Sequence, residues 1–127
     1  MKQLYKMAWR YYSLVVRTRE KGICYTCNRR NLIQSSHAGH YVHGGNNAYS
    51  YYLDFDDRNI HCQCIYCNHY IHGNLEVYQQ KLIKQYGPDV IDELKQAKWK
   101  SGGWGNEDLV KIIEGCKIWL KENNVLY

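Results

Sequence analysis

The chain lacks a long apolar run, and it lacks the apolar core of a signal peptide. Nowhere in its 127 residues does an apolar run approach the roughly 18 residues that a membrane helix needs. The first twenty residues interleave lysine and arginine with apolar residues. These absences argue against membrane and secreted proteins, and we expect a soluble, intracellular protein. The length predicts one domain, small enough that a bound metal would add useful stability.

Acidic side chains are nearly missing from the first thirty residues. That segment holds eight lysines and arginines against one acid, Glu20, a balance of +7. Residues 31–127 hold nine against eleven, a balance of −2, which completes the net charge of +5. A basic N-terminal third suits a phosphate backbone, although a solvated helix face explains the charge equally well. The candidate DNA contacts in this segment are Lys2, Lys6, Arg10 and Arg17.

Apolar periodicity and turn residues divide the chain into short elements. A helical period predicts helices over 3–20, 75–86 and 88–99, and Asn106 is placed to cap a final helix. The remaining expectations are a knuckle at 23–30, an extended segment at 32–43, a turn at 44–47, an aromatic-rich strand at 49–55, a helix from about Cys64 to near Gly73 and a linker at 100–105.

Four of the six cysteines form two C-x-x-C pairs, Cys24 with Cys27 and Cys64 with Cys67. In a reducing compartment such cysteines indicate metal or thiol chemistry rather than disulfides. Two pairs predict a closed four-thiolate zinc site, which is structural because it leaves no open position. A thiol redox protein is the alternative interpretation.

The other two cysteines have weaker signals. Cys62 could replace Cys64 as a ligand, but a C-x-C pair fits the usual spacing less well. Cys116 lies on the apolar stripe of the final helix, and we expect a small buried hydrophobic residue there.

Histidine is missing outside residues 37–72, and all six histidines lie within that segment. Asn68 and His72 are four apart, so on an α-helix they would face the same way. An amide oxygen and an imidazole nitrogen can bind a divalent ion together. Unrelated surface or core histidines are the alternative.

A longer set of short motifs runs through the chain in a fixed order: Gly22-Ile-Cys24-Tyr-Thr-Cys27, Ala38-Gly39-His40-Tyr41, Phe55-Asp56-Asp57-Arg58-Asn59-Ile60-His61, Gln63-Cys64-Ile-Tyr-Cys67-Asn68, Gly73-Asn74, Tyr78, Tyr86-Gly87 and Val90-Ile-Asp-Glu-Leu94. In this order the motifs resemble the HNH (His-Me finger, ββα-metal) nucleases. The closer similarity is to the NinG (Rap) family of phage lambda recombination proteins, and it covers roughly residues 5–98.

The resemblance implies an α+β fold with a small ββα-metal (HNH-like) core and a four-cysteine zinc site, flanked by an N-terminal helix and C-terminal helices. Residues 1–127 would form one HNH-like nuclease domain. Its parts would be a basic helix at 1–21, a zinc-braced core at 22–74 and a helical part at 75–127.

The resemblance also implies a metal-dependent endonuclease that cuts branched DNA, in the cytoplasm of a bacterial host that carries a phage or prophage. His40 would activate water, and Asn59 would fix the hairpin and the histidine. Asn68 and His72 would hold a catalytic Mg²⁺ or Mn²⁺. A non-catalytic zinc module that binds DNA is the alternative, and a homodimer would suit symmetric cutting of two strands.

One position departs from the pattern. Many HNH enzymes carry Asp or His immediately before the base, where it also binds the metal, and this chain has Gly39. His37 lies on the Gly39 side of an alternating strand, so it is the candidate for the third ligand; a surface residue is the alternative.

Two further kinds of DNA contact are expected from residue type. Arg58 is placed to contact phosphate or to pair with Asp56 or Asp57. The candidates for base stacking are Tyr49, Tyr51 and Tyr52.

Overall fold

The computed structural model describes residues 2–44, 51–100 and 105–127, and these ranges form an α+β arrangement, as predicted. The turn expected at 44–47 and the linker at 100–105 lie largely outside them. The helices are α1 (Lys2–Arg19), α2 (Tyr51–Asp54), α3 (Leu75–Tyr86), α4 (Val90–Ala97) and α5 (Asn106–Glu122). The strands are β1 (His37–His40) and β2 (Ile60–Gln63), with a 3-10 turn at Ile33–Ser35 and a π-helical turn at Tyr66–Tyr70.

The two strands pair antiparallel and place their side chains on two distinct faces. Gly39 lies opposite His61, and His40 lies opposite Ile60. Because neighbouring side chains of a strand point to opposite sides, one set faces the cysteine pairs and the other faces α1. We call these the cysteine face (His37, Gly39, His61, Gln63) and the helix face (Ala38, His40, Ile60, Cys62).

The first and last helices pack together on the helix face. Val16 of α1 and Leu120 of α5 are fully buried with Ile60 of β2. Cys116 belongs to the same cluster, so its predicted role as a small buried hydrophobic residue is confirmed. Each large apolar side chain buried here contributes roughly 1.5–3 kcal/mol relative to an exposed one.

A second core lies between α3 and α4. Leu82 of α3 packs with Leu94 of α4 and with Leu53 of α2, and all three are fully buried. Tyr78 is also fully buried in this core, and its hydroxyl donates to the Gly39 carbonyl at 2.8 Å. The second core is therefore tied directly to β1.

The strand predicted at 49–55 is wrong where the structure describes it. Tyr51–Asp54 form one helical turn, and residues 49–50 lie outside the described ranges. Strand propensity of aromatic residues is easily overridden by tertiary contacts. Here the helical turn buries Leu53 in the α3–α4 core and turns Asp54 toward His40.

The helix predicted from about Cys64 is present but differently wound. Tyr66–Tyr70 form a π-helical turn, in which Ile71 N–H donates to the Tyr66 carbonyl at 3.0 Å. His72 then adopts a φ of 56°, outside any right-handed helix. The four-residue spacing of Asn68 and His72 therefore does not place them on one α-helical face.

The final helix begins at Asn106, but its N-cap is Gly105 rather than Asn106. The Gly105 N–H donates to the Asp108 carboxylate at 2.7 Å, which supplies the capping contact. Within the described residues, none of the helices has both the length and the apolar character needed to cross a membrane.

Candidate functional site

Four cysteine sulfurs converge where the segment after α1 meets the segment after β2. The Sγ atoms of Cys24, Cys27, Cys64 and Cys67 all lie within 4.8 Å of one another. Tetrahedral zinc with Zn–S bonds of about 2.3 Å needs sulfurs about 3.8 Å apart, and Cys27 Sγ lies 3.7 Å from Cys64 Sγ. The predicted four-cysteine cluster is confirmed, and its donors fit a structural zinc.

Local hydrogen bonds favour the thiolate form of Cys24, which is the form that binds a cation. Burial raises the pKa of Cys24, but the Thr26 hydroxyl and backbone N–H groups outweigh it and lower that pKa to about 6. Burial, with the neighbouring thiols, raises the pKa of Cys27 to about 12. A divalent metal would stabilise all four thiolates together. Cys62 lies outside the cluster, and burial raises the pKa of its thiol to about 11.

A buried histidine–carboxylate pair joins the end of α1 to β2. His61 Nδ1 lies 2.7 Å from Glu20 Oε2, and the Cys62 N–H donates to Glu20 Oε1 at 2.8 Å. The Tyr25 ring stacks on the imidazole with centroids 3.8 Å apart. His61 is only 3% exposed, so this pair is part of the core.

A second histidine–carboxylate pair lies near the surface of the helix face. His40 Nε2 is 2.8 Å from Asp54 Oδ1, and the Tyr5 hydroxyl donates to Asp54 Oδ2. The imidazole stacks between the rings of Trp9 and His43, at centroid distances of 5.1 and 4.9 Å. The His40 side chain keeps 17% of its surface exposed, so solvent reaches it.

Burial lowers the pKa of the His40 imidazole in the second pair and favours its neutral form at pH 7. Burial, with the nearby His43, lowers the pKa of His40 from 6.5 to about 4. A carboxylate can only accept a hydrogen bond, so Nε2 carries the proton and Nδ1 keeps its lone pair. A neutral imidazole of this tautomer can accept a proton.

Asn59 is fully buried and holds the segment between the strands. Its Nδ2 donates to the carbonyls of Val42 and Leu53 at 2.8 and 3.0 Å, and its Oδ1 accepts from the Val42 N–H at 2.8 Å. One side chain thus joins the residues after β1 to α2, which carries Asp54. Asn59 thereby fixes the relative positions of His40 and its carboxylate.

The residues predicted to bind the catalytic ion and the predicted base fall in three places. Asn68 Nδ2 lies 3.0 Å from His37 Nδ1, so these two are together on the cysteine face. His72 is exposed beyond the π-helical turn. The His40 ring, stacked on Trp9, lies on the helix face. Asn68 does lie against Gly39, the residue beside His40, since a Cβ at Gly39 would be 2.9 Å from Asn68 Oδ1.

The predicted DNA contacts also differ among themselves. Lys2, Lys6 and Arg10 are exposed on α1. Arg17 is half-buried, and its guanidinium donates to Ser13 and to the Ile33 carbonyl. Arg58 pairs with Asp56 and Glu93, of which sequence reasoning anticipated only the first.

Of the tyrosines predicted to stack on bases, only one can be placed. Tyr52 is half-buried, with Lys100 Nζ 5.4 Å from its ring centroid. Tyr49 and the side chain of Tyr51 lie outside the description.

Sequence reasoning missed Asp54, Glu20 and Gln63 as partners of the site. Asp54 is fourteen residues from His40, and Glu20 is 41 residues from His61. No local spacing links such pairs. The one available signal was the isolation of Glu20, the only acid among the first thirty residues.

The geometry defines a class: a small α+β domain with a four-cysteine metal cluster and a clamped histidine–carboxylate pair. The model of the family described as Bacteriophage Lambda NinG protein matches residues 1–124. The chain belongs to this NinG family.

Individual relatives agree with the family model. Protein ninG of Salmonella phage P22 is 34% identical over 108 residues, which cover 84% of this chain and 51% of that protein. Protein ninG of Escherichia phage lambda is 34% identical over 91 residues, 71% of this chain and 43% of that protein. The chain thus spans about half the length of the curated relatives it matches. No solved structure matches it significantly.

Proposed function

We propose that this chain is a metal-dependent endodeoxyribonuclease of the phage recombination type, which hydrolyses phosphodiester bonds in branched DNA such as Holliday junctions. The observation that carries the proposal is His40: a neutral imidazole, reachable by solvent, with Nε2 bound to Asp54 at 2.8 Å. Membership of the NinG family and the resemblance of its motifs to HNH nucleases support the same conclusion.

The chain's own residues would perform the proton transfer. His40 Nδ1 accepts a proton from a water molecule as that water attacks phosphorus, and the bond to the leaving oxygen then breaks. Asp54 fixes the tautomer and stabilises the imidazolium that forms, the role of a carboxylate behind a histidine base. Asn59 keeps both partners in place through its bonds to Val42 and Leu53.

A divalent ion would stabilise the negative charge that develops on phosphate and leaving oxygen. The residue that fits such an ion is Asn68, whose amide oxygen lies beside Gly39. His37 Nδ1 accepts from Asn68 Nδ2 at 3.0 Å, so His37 would need its other ring nitrogen to bind the ion. Those donors suit Mg²⁺ or Mn²⁺. His72, which is exposed beyond the π-helical turn, is a third candidate.

The basic side of α1 would bind the DNA backbone. Lys2, Lys6 and Arg10 are exposed at four-residue spacing, which places them along one side of the helix. Phosphate contacts contribute affinity without reading sequence, so they suit recognition of branch shape. Binding should weaken steeply as the salt concentration rises.

The test is cleavage of a four-way DNA junction with Mg²⁺ or Mn²⁺, with forked and linear duplexes alongside. His40→Ala should lower the cleavage rate by about 10²–10⁴-fold, as expected for loss of a general base. His69→Ala is the matched control, because His69 is exposed and has no role in the proposed chemistry. Equal cleavage by His40→Ala and wild type would remove His40 from its role.

A second candidate is a non-catalytic zinc module that binds DNA. The observation that favours it is the separation of the predicted catalytic residues, with the His40 ring on the helix face and His37 and Asn68 on the cysteine face. Junction binding without cleavage under Mg²⁺, Mn²⁺, Co²⁺ or Ni²⁺ would establish this module. About one tightly held zinc per chain would exclude the thiol redox alternative.

A further inference from the structure

Gln63 carries a buried oxygen that has no hydrogen-bond partner. Among the residues that the structure describes, two buried side-chain oxygens are in this state, Gln63 Oε1 and Thr18 Oγ1. Gln63 is fully buried on the cysteine face of β2. A buried polar atom without a partner costs roughly 1–3 kcal/mol, so its presence calls for an explanation such as a bound water or ion.

The orientation of the Gln63 amide is fixed by its other end. Nε2 donates to the Gly73 carbonyl at 2.9 Å and to Thr26 Oγ1 at 3.1 Å. Turning the amide over would place two carbonyl oxygens against each other and lose the bond to Gly73. Oε1 must therefore point toward β1.

Oε1 points at the position where Gly39 has no side chain. A Cβ built on Gly39 would lie 1.9 Å from Gln63 Oε1 and 2.9 Å from Asn68 Oδ1. Two amide oxygens thus converge on the residue next to His40, and His37 Nδ1 lies beside the same Asn68 amide. Gln63 Oε1 is buried, whereas Asn68 and His37 are half-buried, so an ion would approach from the Asn68 side.

We propose that Gln63 is a ligand of the divalent ion, in place of the side chain that Gly39 lacks. The ligands would be Gln63 Oε1 and Asn68 Oδ1, and His37 Nδ1 would orient the Asn68 amide by accepting from its Nδ2. This inference rests on the proposed function for the use of the ion, but the binding itself needs no DNA.

Amide oxygen donors without charge select a hard divalent ion such as Mg²⁺ or Mn²⁺ and hold it weakly. The phosphate of the substrate then supplies the negative charge that completes the site. The competing arrangement has the Asn68 amide turned over, so that Nδ2 donates to Gln63 Oε1 and no ion binds.

The experiment measures Mn²⁺ binding to the zinc-loaded full chain by the loss of the free Mn²⁺ signal in electron paramagnetic resonance. Gln63→Met keeps the length of the side chain without its oxygen, and it should weaken Mn²⁺ binding at least tenfold. Thr18→Val is the matched control: it removes the other unpartnered oxygen, on α1, and should leave binding unchanged. Equal affinity of Gln63→Met and wild type, or no saturable Mn²⁺ binding by wild type, would overturn the proposal.

A measurement on the wild type covers the case in which Gln63→Met does not fold. Titration with Mg²⁺ should shift the side-chain carbonyl carbon resonance of Gln63 in step with that of Asn68. A Gln63 signal that stays in place while the Asn68 signal moves would contradict ligation. Mn²⁺ binding that depends on Gln63, without junction cleavage by the wild type, would refute the nuclease function and leave the assignment of Gln63 as a ligand intact. Junction cleavage by the wild type, together with an unaltered Mn²⁺ affinity of Gln63→Met, would refute the assignment of Gln63 as a ligand and leave the proposed nuclease function intact.

Discussion

The two faces of the β1–β2 hairpin each carry a histidine bound to a carboxylate, and the two pairs differ in what surrounds them. On the cysteine face, His61 binds Glu20 and is 3% exposed beneath the ring of Tyr25. On the helix face, His40 binds Asp54 and keeps 17% of its side chain exposed. The imidazole therefore belongs to the core on one face and meets solvent on the other, whereas the carboxylates differ the other way, with Asp54 9% and Glu20 19% exposed.

The partners of each carboxylate explain the difference. Glu20 also accepts from the buried Cys62 N–H, so its carboxylate satisfies the sheet backbone as well as the imidazole. Asp54 accepts from the hydroxyl of half-buried Tyr5, which water can partly replace. The cysteine face is organised for stability and the helix face leaves one imidazole nitrogen available, so the two faces should respond differently to perturbation.

The largest effect should follow from removal of zinc. Structural zinc sites commonly supply much of the folding free energy of small domains, so Cys67→Ser or a strong chelator should abolish the cooperative thermal transition. Cys116→Ala is the control on the helix face, and it should keep one zinc per chain with a loss of about 1 kcal/mol. Circular dichroism and metal analysis measure both. A chelated chain with an unchanged melting temperature would contradict the structural role of the cluster.

The next effect compares the two carboxylates directly. Glu20→Ala leaves the Cys62 N–H and His61 without their partner in the core, and it should lower the free energy of unfolding by about 3 kcal/mol. Asp54→Ala should cost less, because the His40 imidazole and the Tyr5 side chain lie nearer to solvent than His61 and the Cys62 N–H. Urea denaturation of both variants gives the comparison. Equal losses would remove the distinction between the faces.

A third effect is the pH dependence of folding stability that arises from His40 on the helix face. The pKa of His40 is about 4 in the fold against an ordinary value of 6.5. Between those values the unfolded chain binds more protons, so this stability is complete above pH 6.5 and is lost as the pH falls toward 4. The loss is of order 2–3 kcal/mol. Denaturation at several pH values should show it in wild type and not in His40→Gln. A His40 pKa above its ordinary value by NMR would mean that the Asp54 carboxylate outweighs burial.

A smaller effect tests the crowding around Gly39. A methyl group there would meet Gln63 Oε1 at 1.9 Å, and the Gln63 amide is held at its other end. We expect Gly39→Ala to cost about 2 kcal/mol, as overpacking of a core usually does. Thermal melting of the zinc-loaded variant measures the loss. An unchanged melting temperature would show that the Gln63 side chain yields, which would also weaken its assignment as a ligand.

The smallest effect has the opposite sign and lies on α5. Gly115 has no atom within 4 Å of a built Cβ, so an added methyl meets open space. Alanine is favoured over glycine inside a helix by roughly 1 kcal/mol. Gly115→Ala should therefore raise the melting temperature by a few degrees. A decrease would indicate that this stretch of α5 is not helical as described.

Features that depend on nearby residues in the sequence could be predicted, whereas contacts between distant segments could not. The spacing of Cys24, Cys27, Cys64 and Cys67 identified the cluster because two residues between thiolates are a local requirement of tetrahedral geometry. Helices α1, α3, α4 and α5 followed from apolar periodicity. The contacts of Asp54 and Glu20 could not follow, because they depend on how distant segments meet.

The two local errors have tertiary causes. The aromatic segment before Phe55 suggested a strand, but burial of Leu53 favours a helical turn. The turn after β2 must place both Cys64 and Cys67 at one cluster, and it does so in a π-helical turn rather than a regular α-helix. Standard helical spacing therefore gave the wrong relation between Asn68 and His72. Sequence reasoning proposed His40, Asn68 and His72 for the candidate site, but it could not give the arrangement of their side chains.

The pairing of α1 with α5 has a consequence for how the chain is made. The buried side of α1 is covered by residues near the other end, such as Leu109 and Leu120. At roughly 5–20 residues per second, synthesis leaves about 90 residues and on the order of ten seconds between the two helices. During that interval Val16 and the other apolar residues of α1 lack the α5 side chains that pack against them in the folded chain. The nascent chain should therefore bind holding chaperones through α1 and be released once α5 leaves the ribosome.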